Sequence, residues 1–231
     1  MNMRAIPSRT AALIVAANLF AAGAAFGDEV RVITSGAFTA AYLELVPEFE
    51  RATKNNVVTT FGGSMGNGPE TIPNRLQRGE PADVVILAAA ALDDLIKQGK
   101  VVAGSRVDLV RSSGVYLSTE MFQRLGIADQ VLPKSKNAQG ERVGVLVARG
   151  DAEIGFQQIS ELLPEPGIDY VGPLPPGAQR VTVFSAGIVV GAKKPEVARA
   201  LIKFLASENA ISVIKKTGLE PVTAAEPVTA P

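Results

Sequence analysis

Val30-Arg31-Val32-Ile33-Thr34-Ser35-Gly36 is the stretch on which the fold turns. Four of its first five residues are β-branched, which favours a short strand, and Ser35-Gly36 ends it. A helix follows, with Thr39 as a candidate cap and Tyr42, Leu43, Val46, Phe49 and Glu50 at helical spacing as far as Thr53. Val57 to Phe61 reads as a second strand, and Gly62-Gly63-Ser64-Met65-Gly66-Asn67-Gly68 as a flexible turn. A short amphipathic helix comes next, Ile72 and Leu76 inward, Arg75 and Arg78 outward in solvent. Asp83 opens the strand Val84 to Leu87, and Leu92 to Gln98 is helical, closed by Gly99. This β-α-β-α-β-α order predicts an α/β domain with a mostly parallel sheet and flanking helices. Ligands of such sheets sit at the carboxyl ends of strands, beside helix N-termini.

Outward from that stretch the pattern is less regular. Val115 to Leu125 reads as a helix, Pro133 to Gly140 as a polar loop, and Glu141 to Arg149 as either a strand or a helix. Ala152 to Gln157, Tyr170-Val171 and Val181 to Val190 read as strands, and Ser160 to Leu163 as one helical turn. Glu196 to Ala206, behind Pro195 at its first turn, is a strong amphipathic helix, and Asn209 to Lys216 is another. The tail from 223 to 231, rich in Pro, Thr and Ala, is expected to be disordered.

Residues 1–27 have the form of a secretory signal peptide. Arg4 and Arg9 make a positive start, Ala11 to Phe20 an apolar run too short to span a bilayer, and Ala25-Phe26-Gly27 a small-residue cleavage site. The expected location is therefore the periplasm. The chain has 23 basic and 23 acidic residues. Without Arg4 and Arg9 the balance is 21 against 23, a net charge of −2, and nothing favours nucleic acid. Histidine and cysteine are absent. That excludes disulfides, Cys-His metal sites, thiol nucleophiles and Ser-His-Asp triads. No cofactor and no metal are expected, and no catalytic pair is marked by spacing.

Two strand-to-helix turns are candidate anion cradles. Ser35-Gly36 and the loop from Gly62 to Gly68, with Ser64, offer hydroxyls and bare backbone N–H groups near the positive ends of helices. The second loop lacks both the Gly-Lys-Ser/Thr of a P-loop and the order of a dinucleotide turn. Each loop has a plainer reading, as a helix cap or a simple connector. Ser112-Ser113-Gly114, before the expected helix, is a third candidate. Gln157-Gln158, ending an expected strand, offer neutral amides to a carboxylate or oxyanion.

The runs Thr34-Ser35-Gly36, Phe61-Gly62-Gly63-Ser64-Met65-Gly66 and Arg78-Gly79-Glu80-Pro81-Ala82-Asp83-Val84 resemble periplasmic molybdate-binding-type solute-binding proteins. Gly155-Phe156-Gln157-Gln158-Ile159-Ser160-Glu161-Leu162 and Lys216-Thr217-Gly218-Leu219-Glu220-Pro221 are similar to the same family. The resemblance implies a type 2 periplasmic-binding-protein fold, in which two α/β lobes close on an anion without a cationic side chain. It implies lobe I at 28–110 plus 185–222 and lobe II at 111–184. The implied ligand-binding residues are Ser35, Gly36, Ala37, Ser64, Met65, Ser113, Gly140, Gln157 and Gln158. Ala37 stands where molybdate binders usually have serine, and Gln158 where they usually have tyrosine. Thr34 to Tyr42 and Gln157-Gln158 look more like a branch that includes periplasmic aconitate isomerase. The implied partners are a small anionic ligand, either a molybdate- or tungstate-like oxyanion or a tricarboxylate, and an ABC permease if the protein is a carrier. A monomer is expected.

One departure from the family stands out. Only Arg111 and Ser112 separate the strand-like Val107 to Val110 from Ser113-Gly114-Val115-Tyr116, where members usually have roughly three dozen more residues, including a strand that crosses to lobe II. Four extended residues reach only about 14 Å. The expectation is a single crossing near Thr182 to Val189 and a shortened lobe II with a smaller sheet, so a remnant with impaired binding is a further alternative.

Overall fold

In a computed structural model, which describes residues 27–114, 118–138, 141–175 and 178–222, the opening stretch forms an internal strand, second from one edge, of a six-stranded sheet. The strands are β1 (Glu29–Thr34), β2 (Asn56–Phe61), β3 (Val84–Ala88), β4 (Val107–Gly114), β5 (Arg180–Ile188) and β6 (Glu220–Pro221), in the order β2-β1-β3-β5-β4-β6. β1 pairs in parallel with β2 and β3, as the alternation requires. β3–β5, β4–β5 and β4–β6 are antiparallel. The sheet is thus mixed rather than mostly parallel, because parallelism extends only as far as the βαβ units of 29–88.

Alternate residues of β1 face opposite sides of the sheet and build two cores. Val30 and Val32 join Val84 and Ile86 beneath α1 (Gly36–Thr53), α8 (Pro195–Leu205) and α9 (Ile211–Lys216), where Phe38, Tyr42, Leu45 and Phe49 are buried. Ile33, Val85 and Leu87 pack on the other side against α2 (Ile72–Gln77) and α3 (Ala89–Lys97). Each of these large side chains contributes about 1.5–3 kcal/mol on burial, so this half has a full core on both faces of its sheet.

The single crossing is overturned. Arg111 to Gly114 is not a linker but strand, paired with Arg180 to Val183, so β4 and β5 run out of the sheet together as a two-stranded ribbon. Between them, among the described residues, lie short helices, α4 (Ser118–Arg124), α5 (Ala128–Val131), α6 (Val143–Ala148) and α7 (Ile159–Leu162), and a 3-10 turn at Leu132–Lys134. Among the described residues this segment holds no strand, so the smaller sheet expected there is also overturned. Ala152 to Gln157 and Tyr170-Val171 are irregular, and 143–148, left open by its composition, is helical. A strand needs a partner, and these runs have none. Ile154 and Val171 are correspondingly 74% and 100% exposed. The leader through residue 26 and the tail from 223 lie outside the described residues.

Candidate functional site

β1 ends at Thr34, and the Ser35 amide donates to the Ile86 carbonyl at 2.8 Å, fixing the turn against the end of β3. α1 then starts at Gly36, three residues before the expected cap. Thr39 is not that cap; its hydroxyl donates back to the Ser35 carbonyl at 3.2 Å. The amides of Gly36, Ala37 and Phe38 belong to the first turn, which has no intrahelical acceptors, and no acidic residue of α1 offsets its positive end. Ser35 is 2% exposed, yet its Oγ has no hydrogen-bond partner. A buried hydroxyl without a protein partner beside first-turn amides is a candidate donor to an acceptor.

The second loop closes on itself at the same edge. The Gly62 amide donates to the Thr34 carbonyl at 3.1 Å, and the Ile72 amide to the Gly63 carbonyl at 2.8 Å. A β-carbon at Gly62 would lie 2.6 Å from the Glu70 carbonyl oxygen, so the approach requires glycine. Ser64 Oγ accepts the Ala88 amide at 3.0 Å and so ties the loop to the end of β3, leaving its own hydrogen to donate. Met65 is 53% exposed in this loop. Arg75 is not the solvated residue expected from helical spacing. It is 6% exposed and donates to the Phe61 carbonyl at 2.7 Å, to Thr60 Oγ1 at 2.9 Å and to Glu80 Oε2 at 2.7 Å. Its cation is consumed in pinning the strand that feeds the loop.

From the other side α7 closes over α1 and β4. Glu161 sits so near the start of α1 that a β-carbon at Gly36 would overlap its Oε1. Burial raises the Glu161 carboxyl above the usual range, and the Gln157 amide and the Arg142 charge only partly offset this. Gln157 Oε1 accepts the Val143 amide at 2.9 Å, so one side chain caps α6 and steadies Glu161. Gln158 precedes α7, and its buried Oε1 is unpartnered, as are Ser160 Oγ and Ser112 Oγ. Ile159 and Leu163 hold α7 down on the Gly218 turn, where a β-carbon would lie 2.8 Å from each.

Of the residues expected at the site, Ser35, Gly36 and Ala37 form the start of α1, Ser64 and Met65 the neighbouring loop, and Gln157 and Gln158 the segment leading into α7. Ser113 lies in β4 rather than ahead of a helix. Because strand neighbours face opposite ways, Ser112 is the buried one, whereas Ser113 lines a cleft on its other side. Gly140 lies outside the described residues. Glu161 and Ser160 are the residues that sequence reasoning missed, since an acid and a serine on one helical turn look like an ordinary solvated face. That cleft, about 330 Å³, is bordered by Ser113, Phe156, Gln157, Ile159, Tyr170 and Pro173 among others, and so shares Gln157 with the segment leading into α7.

The sequence profile of a family described as bacterial extracellular solute-binding protein matches residues 30–119 and 111–220. An aconitate isomerase of a Pseudomonas species is 38% identical, with 84% of this chain and 88% of the relative aligned. The molybdate-binding protein ModA of Azotobacter vinelandii is 29% identical over 84% of this chain and 91% of its own. The solved structure of the periplasmic molybdate-binding protein of Azotobacter vinelandii superimposes with a TM-score of 0.68 at 18% identity, covering 84% of this chain and 99% of that one. The alignment to the isomerase runs over 230 residues, against 84% of 231, or about 194, in this chain, a shortfall of about 36. The two stretches matched by the family profile overlap at 111–119, the junction at which the sequence runs short.

Proposed function

The chain belongs to the bacterial extracellular solute-binding protein family, and we propose that its solute is a small anion, an oxyanion or a carboxylate, bound where α1 begins. The observation that carries this reading is the buried, unpartnered Ser35 hydroxyl at the positive end of α1, with a carboxyl group already lodged against Gly36. The Ser64 hydroxyl supplies a further donor at the same sheet edge. No arginine or lysine is needed, as neutral dipoles suffice for an anion held out of water. We take lobe I as 28–110 plus 185–222 and lobe II as 111–184, with the β4–β5 ribbon as the hinge whose closure a membrane permease would read. Export through a cleaved leader ending near Gly27 belongs to the same reading.

The test is thermal-shift and calorimetric screening of the protein against molybdate, tungstate, sulfate, citrate and cis- and trans-aconitate. A ligand that binds only the folded state raises its melting temperature. Saturable binding that weakens in Ser35→Ala supports the reading, and no binding by any of these anions contradicts it.

A second reading is an isomerase that moves a double bond in a tricarboxylate. Glu161 favours it. A carboxyl whose proton affinity is raised by burial, beside an anion cradle, is placed to carry a proton between carbons. Atoms balance without a cofactor, because the proton taken from one carbon is returned to another as the double bond shifts. Incubation with trans-aconitate, followed by chromatography of the cis isomer, separates the readings. Turnover lost in Glu161→Gln favours the enzyme, and binding without turnover favours the carrier.

A further inference from the structure

The cleft beside Ser113 has a lining of the wrong sign for an anion. Its apolar side includes Val147 of α6 and Ile159 and Leu162 of α7. Phe156 and Tyr170 border it, with Ile154 and Val171, and all four are exposed. The Phe156 ring is steadied by the buried Phe122, edge to face with 5.8 Å between centroids. A volume of about 330 Å³ lies within the range of small-molecule pockets, about 300–1,000 Å³. Ser113 also falls within 111–119, where the two profile matches overlap, so the cleft borders the junction at which this chain departs from its relatives.

The charged residues on the border are Glu153 and Asp169, and among the described residues no lysine or arginine joins them there. Other acids of the same segment are already paired, Glu141 and Asp151 with Arg149 and Glu165 with Arg142. Glu153 and Asp169 have no ion-pair partner among the described residues. The neutral amides on the border are engaged within the protein. Gln157 accepts the Val143 amide, and Gln179 donates to the Leu174 carbonyl. Two unengaged carboxylates, two aromatic rings and an apolar wall repel an anion. They attract a cation whose body is apolar, since ring faces carry a negative quadrupole and the wall removes the body from water.

We propose that this cleft is a second ligand site, for a small organic cation with an apolar body, its ammonium directed to Glu153 and Asp169 and its body against Phe156 and Tyr170. The site is independent of the anion position at the start of α1 and opposite to it in charge preference.

The test uses the whole chain, isotopically labelled, and three probes of similar shape: phenethylamine as its ammonium ion, phenethyl alcohol and hydrocinnamate. Titration followed by backbone amide resonances reads both affinity and place. The ammonium should bind saturably, shifting the amides of 153–157 and 169–172 and leaving those of Gly36 to Phe38 in place. The alcohol should bind about tenfold more weakly, and hydrocinnamate more weakly still. The double variant Glu153→Gln/Asp169→Asn should bind the ammonium roughly three- to thirty-fold more weakly and the alcohol as before. A thermal melt checks the variant's fold. Added salt on the unaltered chain gives a comparison without any variant, weakening the ammonium and sparing the alcohol. The proposal is overturned by an ammonium that does not bind, by an alcohol that binds as tightly, by shifts that lie outside the cleft, or by a folded double variant that binds the ammonium unchanged.

Discussion

Asp83 and Ser160 are both buried, and their surroundings could hardly differ more. Asp83, between β1 and β3, accepts the Arg31 amide at 2.8 Å on one oxygen and the Lys193 amide at 2.6 Å on the other. Elsewhere in the sheet half Ser185 donates to Asp108 at 2.6 Å, and Ser105 Oγ donates to the Val102 carbonyl and accepts the Ile188 amide. Around α7, in contrast, Ser160, Gln158 and Ser112 keep buried polar atoms without partners. Burial with partners makes a scaffold. Burial without protein partners leaves a surface that water or a ligand can complete. The Ser35 hydroxyl stands where the scaffold ends and that surface begins.

The strongest way to break this contrast is at Asp83. Asp83→Ala orphans two amides in the sheet, and urea denaturation should show a loss of about 3–5 kcal/mol. A loss below about 1 kcal/mol would mean the sheet half is no more rigidly satisfied than the rest. A matched pair of serines sharpens the point. Ser185→Ala removes a hydrogen bond to an ionised carboxylate and should cost about 1.5–3 kcal/mol. Ser160→Ala removes a hydroxyl that bonds to nothing, so stability should be unchanged or higher by up to about 1 kcal/mol. Equal losses in the two variants would erase the distinction.

Acid should act on the two regions in opposite directions, with smaller effects. The Arg75 hydrogen bond holds Glu80 below the usual carboxylate range. Burial would raise Asp108, but hydrogen bonds from Arg106 and Ser185 outweigh it and hold it low. Both contribute stability above the unfolded-state value, and that stability is lost as pH falls through their depressed values. Glu161 is raised, so the native state keeps its proton longer than the unfolded chain does. Its contribution is fully present below the usual glutamate range and declines as pH rises through the elevated value. Protection of the α7 amides, corrected for intrinsic rates, should therefore rise on mild acidification while global stability falls. Parallel changes in both would contradict the account.

Sequence alone showed the sheet half well, because its elements are specified locally. The β-branched runs at 30–34, 57–61 and 84–87 and the apolar periodicity of 195–205 each say what they are without reference to anything distant. The start of α1 was misjudged because Ser35 and Thr39 are both acceptable caps, and only the Ser35–Ile86 contact decides between them. Arg75 differs from its expectation for a similar reason, as its helical spacing is ordinary and its partners are Phe61, Thr60 and Glu80, the first two on strand β2. The segment between β4 and β5 was least legible. Runs such as Ala152 to Gln157 have strand composition, but composition cannot supply the pairing partner, and here there is none. Ser35, Gly36 and Ser64 were recognisable as site residues through their place in strand-to-helix turns. Glu161 was not, because its meaning lies entirely in the helix end it touches.

The central claim, that the sheet half holds the anion at the start of α1, is tested most directly by following backbone amide resonances of isotopically labelled protein during titration with trans-aconitate and, separately, molybdate. The account predicts that the amides of Gly36, Ala37, Phe38 and Ser64 shift together and saturate at one ligand concentration. Shifts confined to residues 153–175, around the cleft bordered by Phe156 and Tyr170, with the first turn of α1 unmoved, would contradict it.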